Sequence, residues 1–282
     1  AQAAWPQGPP SPCRQRARRA MCAGGDNGLG AAAGKAVQAI ATQAAAVAPK
    51  RSALGASTGS VPDGLRVVSD MWDDGYCQSI EADVDALRHL AEGGHFRKHT
   101  VDRTALRSKY FFGHGYTYGS QAGGRGDERV LPPELVDPIP EWISSKLIHQ
   151  LEERSLVPCG WINSAVVNDY KEGGMIVSHI DPPHLFARPI YIASFFSAGH
   201  LSFGAGFAFV DGRFSQELSR PPRFMARLPR GSLCSMQGFA ADGITHGIRP
   251  GDMTGRRVSI VLRHVLADAP RAAPAPAPAP AP

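Results

Sequence analysis

Residues 163–190 read NSAVVNDYKEGGMIVSHIDPPHLFARPI. Two short β-branched runs, 164–170 and 175–181, are separated by a Lys-Glu-Gly-Gly stretch and closed by Pro182 and Pro183. That is the texture of strands joined by tight turns. It continues downstream, with strand-like runs at 189–197, 201–210, 224–228, 232–238 and 256–264. Seven or eight short strands at this spacing predict a β-sandwich or barrel. Upstream the periodicity becomes helical. Residues 69–92 predict a helix, with Ser69 as cap, acids in the first turns and Gly93–Gly94 at the end. Residues 140–156 predict a second, with Trp142, Ile143, Leu147, Ile148 and Leu151 on one face and Pro158 just beyond. The expectation is a mainly β fold with flanking helices over residues 63–268, without an internal repeat.

Both ends differ from this region. Residues 1–62 are basic and rich in Ala, Gly and Pro, so they are expected to be a disordered tail. An Arg-rich, acid-poor organelle transit peptide is the alternative. Residues 269–282 form a Pro-Ala tail, expected as extended polyproline II. The chain opens on Ala1 rather than Met, so it is expected to be a fragment whose targeting cannot be read at its true start.

Composition narrows the class. With 43% hydrophobic and 20% charged residues over 282, there is enough apolar material for a packed core. No apolar run approaches 18 residues, so no membrane partner is expected. Five cysteines (13, 22, 77, 159 and 234) are scattered, odd in number and free of any CxxC pair. That argues against a disulfide scaffold or a structural zinc site, and fits a reducing compartment. The net charge is +5, but residues 1–60 carry +6 and the remainder −1. Basicity belongs to the tail, and a nucleic-acid-binding core would need a local basic patch.

Chemistry concentrates at His179-Ile180-Asp181, late in a strand-like run. Residues two apart in a strand share a face, so one imidazole and one carboxylate point the same way. His246 follows 65 residues after Asp181 and offers a third ligand. Two His and one carboxylate on one side of a metal form the facial arrangement of non-haem Fe(II) oxygenases. A His-x-Asp pair is close to what chance supplies in this composition. His184 makes a zinc cluster the competing reading. The stretch RRVSIVLR (256–263) adds weight to iron. It puts Arg257, Ser259, Val261 and Arg263 on one strand face, and Val258, Ile260 and Leu262 on the other. Arginines inside a barrel are costly unless paired with anions, and a dicarboxylic co-substrate supplies one. An exposed strand with surface ion pairs is the other reading. Asn168 and Tyr170 share the polar face of 164–170 and can bond the same ligand.

These stretches are recognisable. HID (179–181), ITH (244–246), NDY (168–170) and RRVSIVLR (256–263) resemble the AlkB family of Fe(II)- and 2-oxoglutarate-dependent dioxygenases. SKYFFGHGYTYG (108–119), VDPIPEWI (136–143) and the 163–190 stretch resemble one branch, the RNA N6-methyladenosine demethylases. The resemblance runs over about residues 65–268. It implies a double-stranded β-helix (jelly roll) core and iron ligation by His179, Asp181 and His246. It implies 2-oxoglutarate contacts from Asn168, Tyr170, Arg257 and Arg263, with Arg257 on the distal carboxylate. The activity it implies is oxidative demethylation of N6-methyladenosine in single-stranded RNA, using O2 and releasing formaldehyde, succinate and CO2. RNA, messenger RNA above all, is the implied partner and the nucleus the implied location, which the basic tail is able to redirect. Nothing in the sequence indicates an oligomer, so a monomer is expected.

Residues 107–118 are expected to form a substrate lid, with Arg107 and Lys109 meeting phosphates and Tyr116 offering a stacking face. Core packing is the reading favoured for Phe111 and Phe112. Two departures stand out. Ala205 and Gly247 occupy the places of a Cys pair found in some members of the branch, which leaves single-strand selectivity open. The segment 207–227 is slightly longer than in those relatives. Other methylated bases, a protein substrate, an RNA-binding module with an idle centre and a zinc hydrolase are the alternatives.

Overall fold

The computed structural model describes residues 60–117 and 126–273. Most of the two tails, together with Tyr118 of the expected lid, lies outside the described residues. The fold has two layers of strands and one of helices. The larger sheet runs β1 (Leu65–Val68), β11 (Leu233–Met236), β6 (Ile190–Phe195), β13 (Arg257–Arg263), β4 (Ser164–Tyr170), β3 (Arg107–Phe112), β2 (Val101–Arg103). The smaller runs β10 (Phe224–Leu228), β7 (Gly199–Phe203), β12 (His246–Ile248), β5 (Ile176–His179). Every pairing in these two sheets is antiparallel. The eight strands β4–β7 and β10–β13 distribute between the sheets in double-stranded β-helix order, as expected. A further two-residue pair, β8 (Phe209–Val210) with β9 (Arg213–Phe214), forms a separate hairpin.

The period-2 alternation of β4 and β13 decides which side is wet. Val167 of β4 and Val258, Ile260 and Leu262 of β13 pack under the helices, together with Tyr110 and Phe112 of β3. Their alternate neighbours face the smaller sheet, where Tyr170 and Ile192 meet Leu201, Phe203 and Leu228. The split foreseen for 256–263 is therefore present. Helix α1 (Asp74–Glu92) buries Ile80, Val84 and Leu87 against the larger sheet. It starts five residues later than expected. Asp73, not Ser69, caps it, accepting a hydrogen bond from the Tyr76 amide at 2.8 Å. The second helix, α2 (141–153), buries Ile143, Leu147 and Leu151 on its expected face. Its middle, Ser144–Ile148, closes its hydrogen bonds over five residues rather than the four of an α-helix.

Two sequence expectations need correction here. Residues 107–112 are not a lid: β3 is an internal strand, paired with β2 on one side and β4 on the other. Its alternation of long polar and aromatic side chains hid a strand that faces the pocket on one side and packs under the helices on the other. Phe111 and Phe112 are buried, as favoured. Among the cysteines, Cys77 and Cys234 are buried free thiols, but Cys159 is disulfide-bonded, which their scatter did not suggest. Among the described helices none is long and apolar enough to cross a membrane.

Candidate metal centre

His179 is the last residue of β5 and His246 the first of β12, and the two are direct cross-strand partners. Asp181 lies two residues past His179, where the chain leaves the sheet. One ligand atom from each of the three falls within 4.8 Å of the others. The rings of His179 and His246 are 4.6 Å apart, and His246 Nε2 is 3.4 Å from Asp181 Oδ2. His179 Nδ1 donates to the Val177 carbonyl at 2.8 Å, so its Nε2 keeps a free lone pair. Burial, then the neighbouring His246, pushes the His179 imidazole down to about 4, so it is neutral and ligand-ready at neutral pH. Burial alone would raise the Asp181 carboxyl. The His246 hydrogen bond and the Arg263, His179 and His246 charges outweigh that and hold it well below the usual carboxylate range. Two imidazole nitrogens and one carboxylate oxygen on one side fit Fe(II) and leave the opposite side open. His184 does not join them. Its Nε2 lies 3.5 Å from Glu128 Oε2, so the competing zinc cluster is not formed.

The floor beneath the triad comes from β4 and β13. Arg257 is 1% exposed, and its Nη2 donates to Ser194 Oγ at 2.9 Å. Its Nε and Nη1 have no partner among the described residues. Burial lowers its pKa, and the groups opposing that shift are the Tyr170 hydroxyl and the Cys234 thiol rather than any carboxylate. A buried guanidinium with two unused donors is stable only beside an anion. Gly199 makes the room: a Cβ there would stand 2.8 Å from Arg257 Cδ. Asn168 and Tyr170 line the same floor, where the Asn168 amide N–H and the Tyr170 hydroxyl are the groups able to donate. These residues fit the carboxylates of a keto acid such as 2-oxoglutarate.

Arg263 turns inward like Arg257 but has a different partner. Its Nη1 donates to Asp181 Oδ1 at 2.9 Å, and its guanidinium stacks 3.8 Å over the Phe186 ring. It therefore orients a metal ligand, while its Nε and Nη2 have no partner among the described residues and remain available for the co-substrate contact expected from the sequence. Lys109 is 5% exposed, so it meets the interior of the pocket and not a solvent-side phosphate. Its Nζ lies 3.3 Å from Tyr116 Oη and 4.6 Å from the Phe111 ring centre, and burial lowers its pKa. The Tyr116 ring packs edge-on against Phe111 and Phe186, which leaves it little free face for stacking. Arg107 is on the same face of β3 but two residues deeper, opposite Tyr170, donating to the Met175 carbonyl at 3.4 Å. The structure therefore brings Lys109 and Tyr116 to the pocket and Arg107 to the far end of its floor.

Sequence reasoning missed two supports. Ser194 is found only through strand pairing, because β6 is brought beside β13 by long-range register. Arg188 donates to the Asp181 carbonyl at 2.7 Å, to the Phe186 carbonyl at 3.0 Å and to Asp242 at 2.8 Å. It ties the loop bearing Asp181 to the turn that precedes His246. Arg188→Ala is expected to weaken metal affinity by about 10- to 100-fold, as loss of an outer partner of a metal site does. Cobalt(II) titration followed by visible absorption checks this; unchanged affinity would remove Arg188 from the site.

A jelly roll that carries an open His-Asp-His face above a buried arginine lacking a carboxylate has the residues to hold Fe(II) beside an acidic co-substrate. No family model matches the chain. It is 49% identical over 214 residues to the RNA demethylase ALKBH5 of Rattus norvegicus, covering 75% of this chain and 52% of the relative. It is 51% identical over 198 residues to the same-named protein of Bos taurus, covering 69% and 49%. To the RNA demethylase ALKBH9B of Arabidopsis thaliana it is 30% identical over 211 residues, covering 72% and 40%. The chain belongs to the AlkB family, and it spans about half the length of the curated relatives it matches. Among solved structures, a 2OG-Fe(II) oxygenase family oxidoreductase from Burkholderia pseudomallei aligns at TM-score 0.41 and 14% identity, covering 74% of this chain and 89% of that one. A prolyl hydroxylase from Trichoplax adhaerens aligns at 0.41 and 12%, covering 72% and 83%.

The places of the Cys pair also have a physical reading. Ala205 is buried, and a Cβ at Gly247 would meet the Ile176 carbonyl oxygen at 2.8 Å. The β12–β5 contact is too close for a side chain at 247.

Proposed function

We propose that the chain removes the methyl group from N6 of adenine in single-stranded RNA by oxidation. The oxygenase chemistry is carried by Arg257, a buried cation with unused donors below a complete triad. The RNA substrate rests on the relatives' names and on the sign of charge in the pocket. Bound Fe(II), 2-oxoglutarate and O2 would supply the oxidising power that hydroxylates the methyl carbon, the keto acid leaving as succinate and CO2. His179, Asp181 and His246 hold the metal. Arg257, steadied by Ser194, takes the distal carboxylate, and the Asn168 amide and Tyr170 hydroxyl bond the same ligand. Arg263 keeps the Asp181 carboxylate aimed. Lys109 Nζ, held against Tyr116 Oη, presents a donor to the base edge, and the walls of Val166, Ile192 and Leu201 exclude water. The hydroxymethyl adenine then loses formaldehyde.

Charge separates N6-methyladenine, which is neutral, from N1-methyladenine, which is cationic. Lys109, Arg257 and Arg263 all line the pocket and repel a cationic base. Formaldehyde release is expected to be faster from N6-methyladenosine RNA than from N1-methyladenosine RNA of the same sequence. The reverse order would assign the site to another methylated base. Messenger RNA as target, a monomeric state and a nuclear location are proposed from the resemblance; imaging of the tagged full-length protein tests the last. The folded unit is proposed as residues 63–268, with tails on both sides.

A further inference from the structure

Between β7 and β10 the chain spends residues 204–223 on an element outside the eight-stranded core. Its tip is Val210-Asp211-Gly212-Arg213, with φ of 49° at Asp211 and 73° at Gly212. Two successive positive φ values define the tight hairpin turn that matches strand twist, for which Asp-Gly is a preferred sequence. A ribbon this short is marginal alone. Hydrogen bonds brace it: Ser215 N to the Ala208 carbonyl (2.9 Å), Ala208 N to Ser219 Oγ (3.0 Å) and Gly206 N to the Arg220 carbonyl (2.9 Å).

The braced ribbon displays rings. Phe209 and Phe214 are cross-strand partners 6.3 Å apart, and Phe207, two residues before Phe209, lies 5.6 Å from Phe214. None of the three belongs to a core cluster, and Phe209 is 48% exposed. Phe207 and Phe214 are half-buried against each other, but burial does not explain the exposed Phe209 ring beside them. Arg213, Arg220 and Arg223 are exposed on the same element. The element is rooted at the metal. Phe203, the residue before it, is paired with His246, and Gly204 N donates to the Thr245 carbonyl at 2.7 Å.

We propose that this aromatic hairpin holds the single strand beside the target nucleotide, with a flanking base stacked on Phe209 and phosphates met by Arg213 and Arg220. The proposal rests on the RNA reading above. Sequence-tolerant stacking on aromatics beside cations is how proteins grip unpaired strands. Rigid presentation lowers the ordering cost of that grip.

The test uses the full chain and unmethylated, fluorescently labelled oligoadenylates of 5 and 15 nucleotides, read by anisotropy. Phe209→Ala is expected to weaken binding of the 15-mer by about 5- to 100-fold, the scale of one lost base stack. The 5-mer should be affected far less, and Phe209→Trp should restore the 15-mer. Arg213→Gln should reduce the salt dependence of 15-mer binding by about one phosphate. Equal affinity of wild type and Phe209→Ala for the 15-mer overturns the proposal. Formaldehyde release from a methylated 5-mer, assayed in parallel, keeps the two readings apart. Release with an indifferent hairpin sinks only the hairpin's role, and no release from the wild type sinks the RNA reading beneath it. Binding of the hairpin to a protein instead would appear as that same indifference to RNA length.

Discussion

His246→Ala is expected to abolish turnover while leaving a folded protein. Outer partners of metal ligands are worth about 10- to 100-fold, so a ligand itself should cost more than about 100-fold in activity and in metal affinity. His246 Nδ1 has no partner among the described residues, and its removal leaves Asp181 still paired with Arg263. Asp181→Ala should behave differently. Arg263 is 2% exposed, and Asp181 is its salt-bridge partner. Removing one partner of a buried pair costs about 3–5 kcal/mol, so this variant should lose stability as well as activity. Thermal unfolding of both metal-free variants beside metal titration checks the contrast. An unfolded His246→Ala protein would make the metal structural.

Arg257→Met should move affinity and stability in opposite directions. Truncating one partner of a buried, hydrogen-bonded charge pair costs about 2–5 kcal/mol, so the 2-oxoglutarate requirement should rise by about 30-fold or more. The apo-protein should gain, because in the absence of ligand that charge is buried beside no carboxylate. Replacing buried charge by apolar volume is often stabilising by about 1–4 kcal/mol. In the wild type, 2-oxoglutarate at about 100 times its Kd should add about 2.7 kcal/mol of stability, and much of that gain should vanish in the variant. Thermal shift with and without the keto acid measures both effects. An unchanged requirement would refute the carboxylate role, and a destabilised apo-protein would mean that Arg257 has a structural partner.

The site was more legible in the sequence than the framework around it. β4 and β13 could be placed to the residue or nearly so, because their alternation is bounded by turns and each face has its own chemistry. The triad could be read because His179 and Asp181 are two apart and His246 offered a third ligand, a set that the resemblance also implied. β1, β2 and β12 were not read: each is three or four residues long and, unlike β5 and β11, lies in no longer β-branched run. β3 was mistaken for a lid because Arg107 and Lys109 suggest solvent, and only the pairing with β4 turns them inward. The same register explains why Arg263 takes Asp181 and why Lys109 meets Tyr116. No spacing rule carries such contacts between distant strands. The sequence marked 207–227 only as a longer segment, and the role of the aromatic hairpin depends on being rooted beside His246, which is again a matter of pairing.

The central claim is that two imidazoles and one carboxylate hold ferrous iron next to an arginine-gripped keto acid. Its most direct test is visible absorption of the iron-loaded protein under anaerobic conditions while 2-oxoglutarate is added. A charge-transfer band that grows to saturation in the wild type, and needs far more keto acid in Arg257→Met, is the predicted result. No band in iron-loaded wild-type protein would contradict the account.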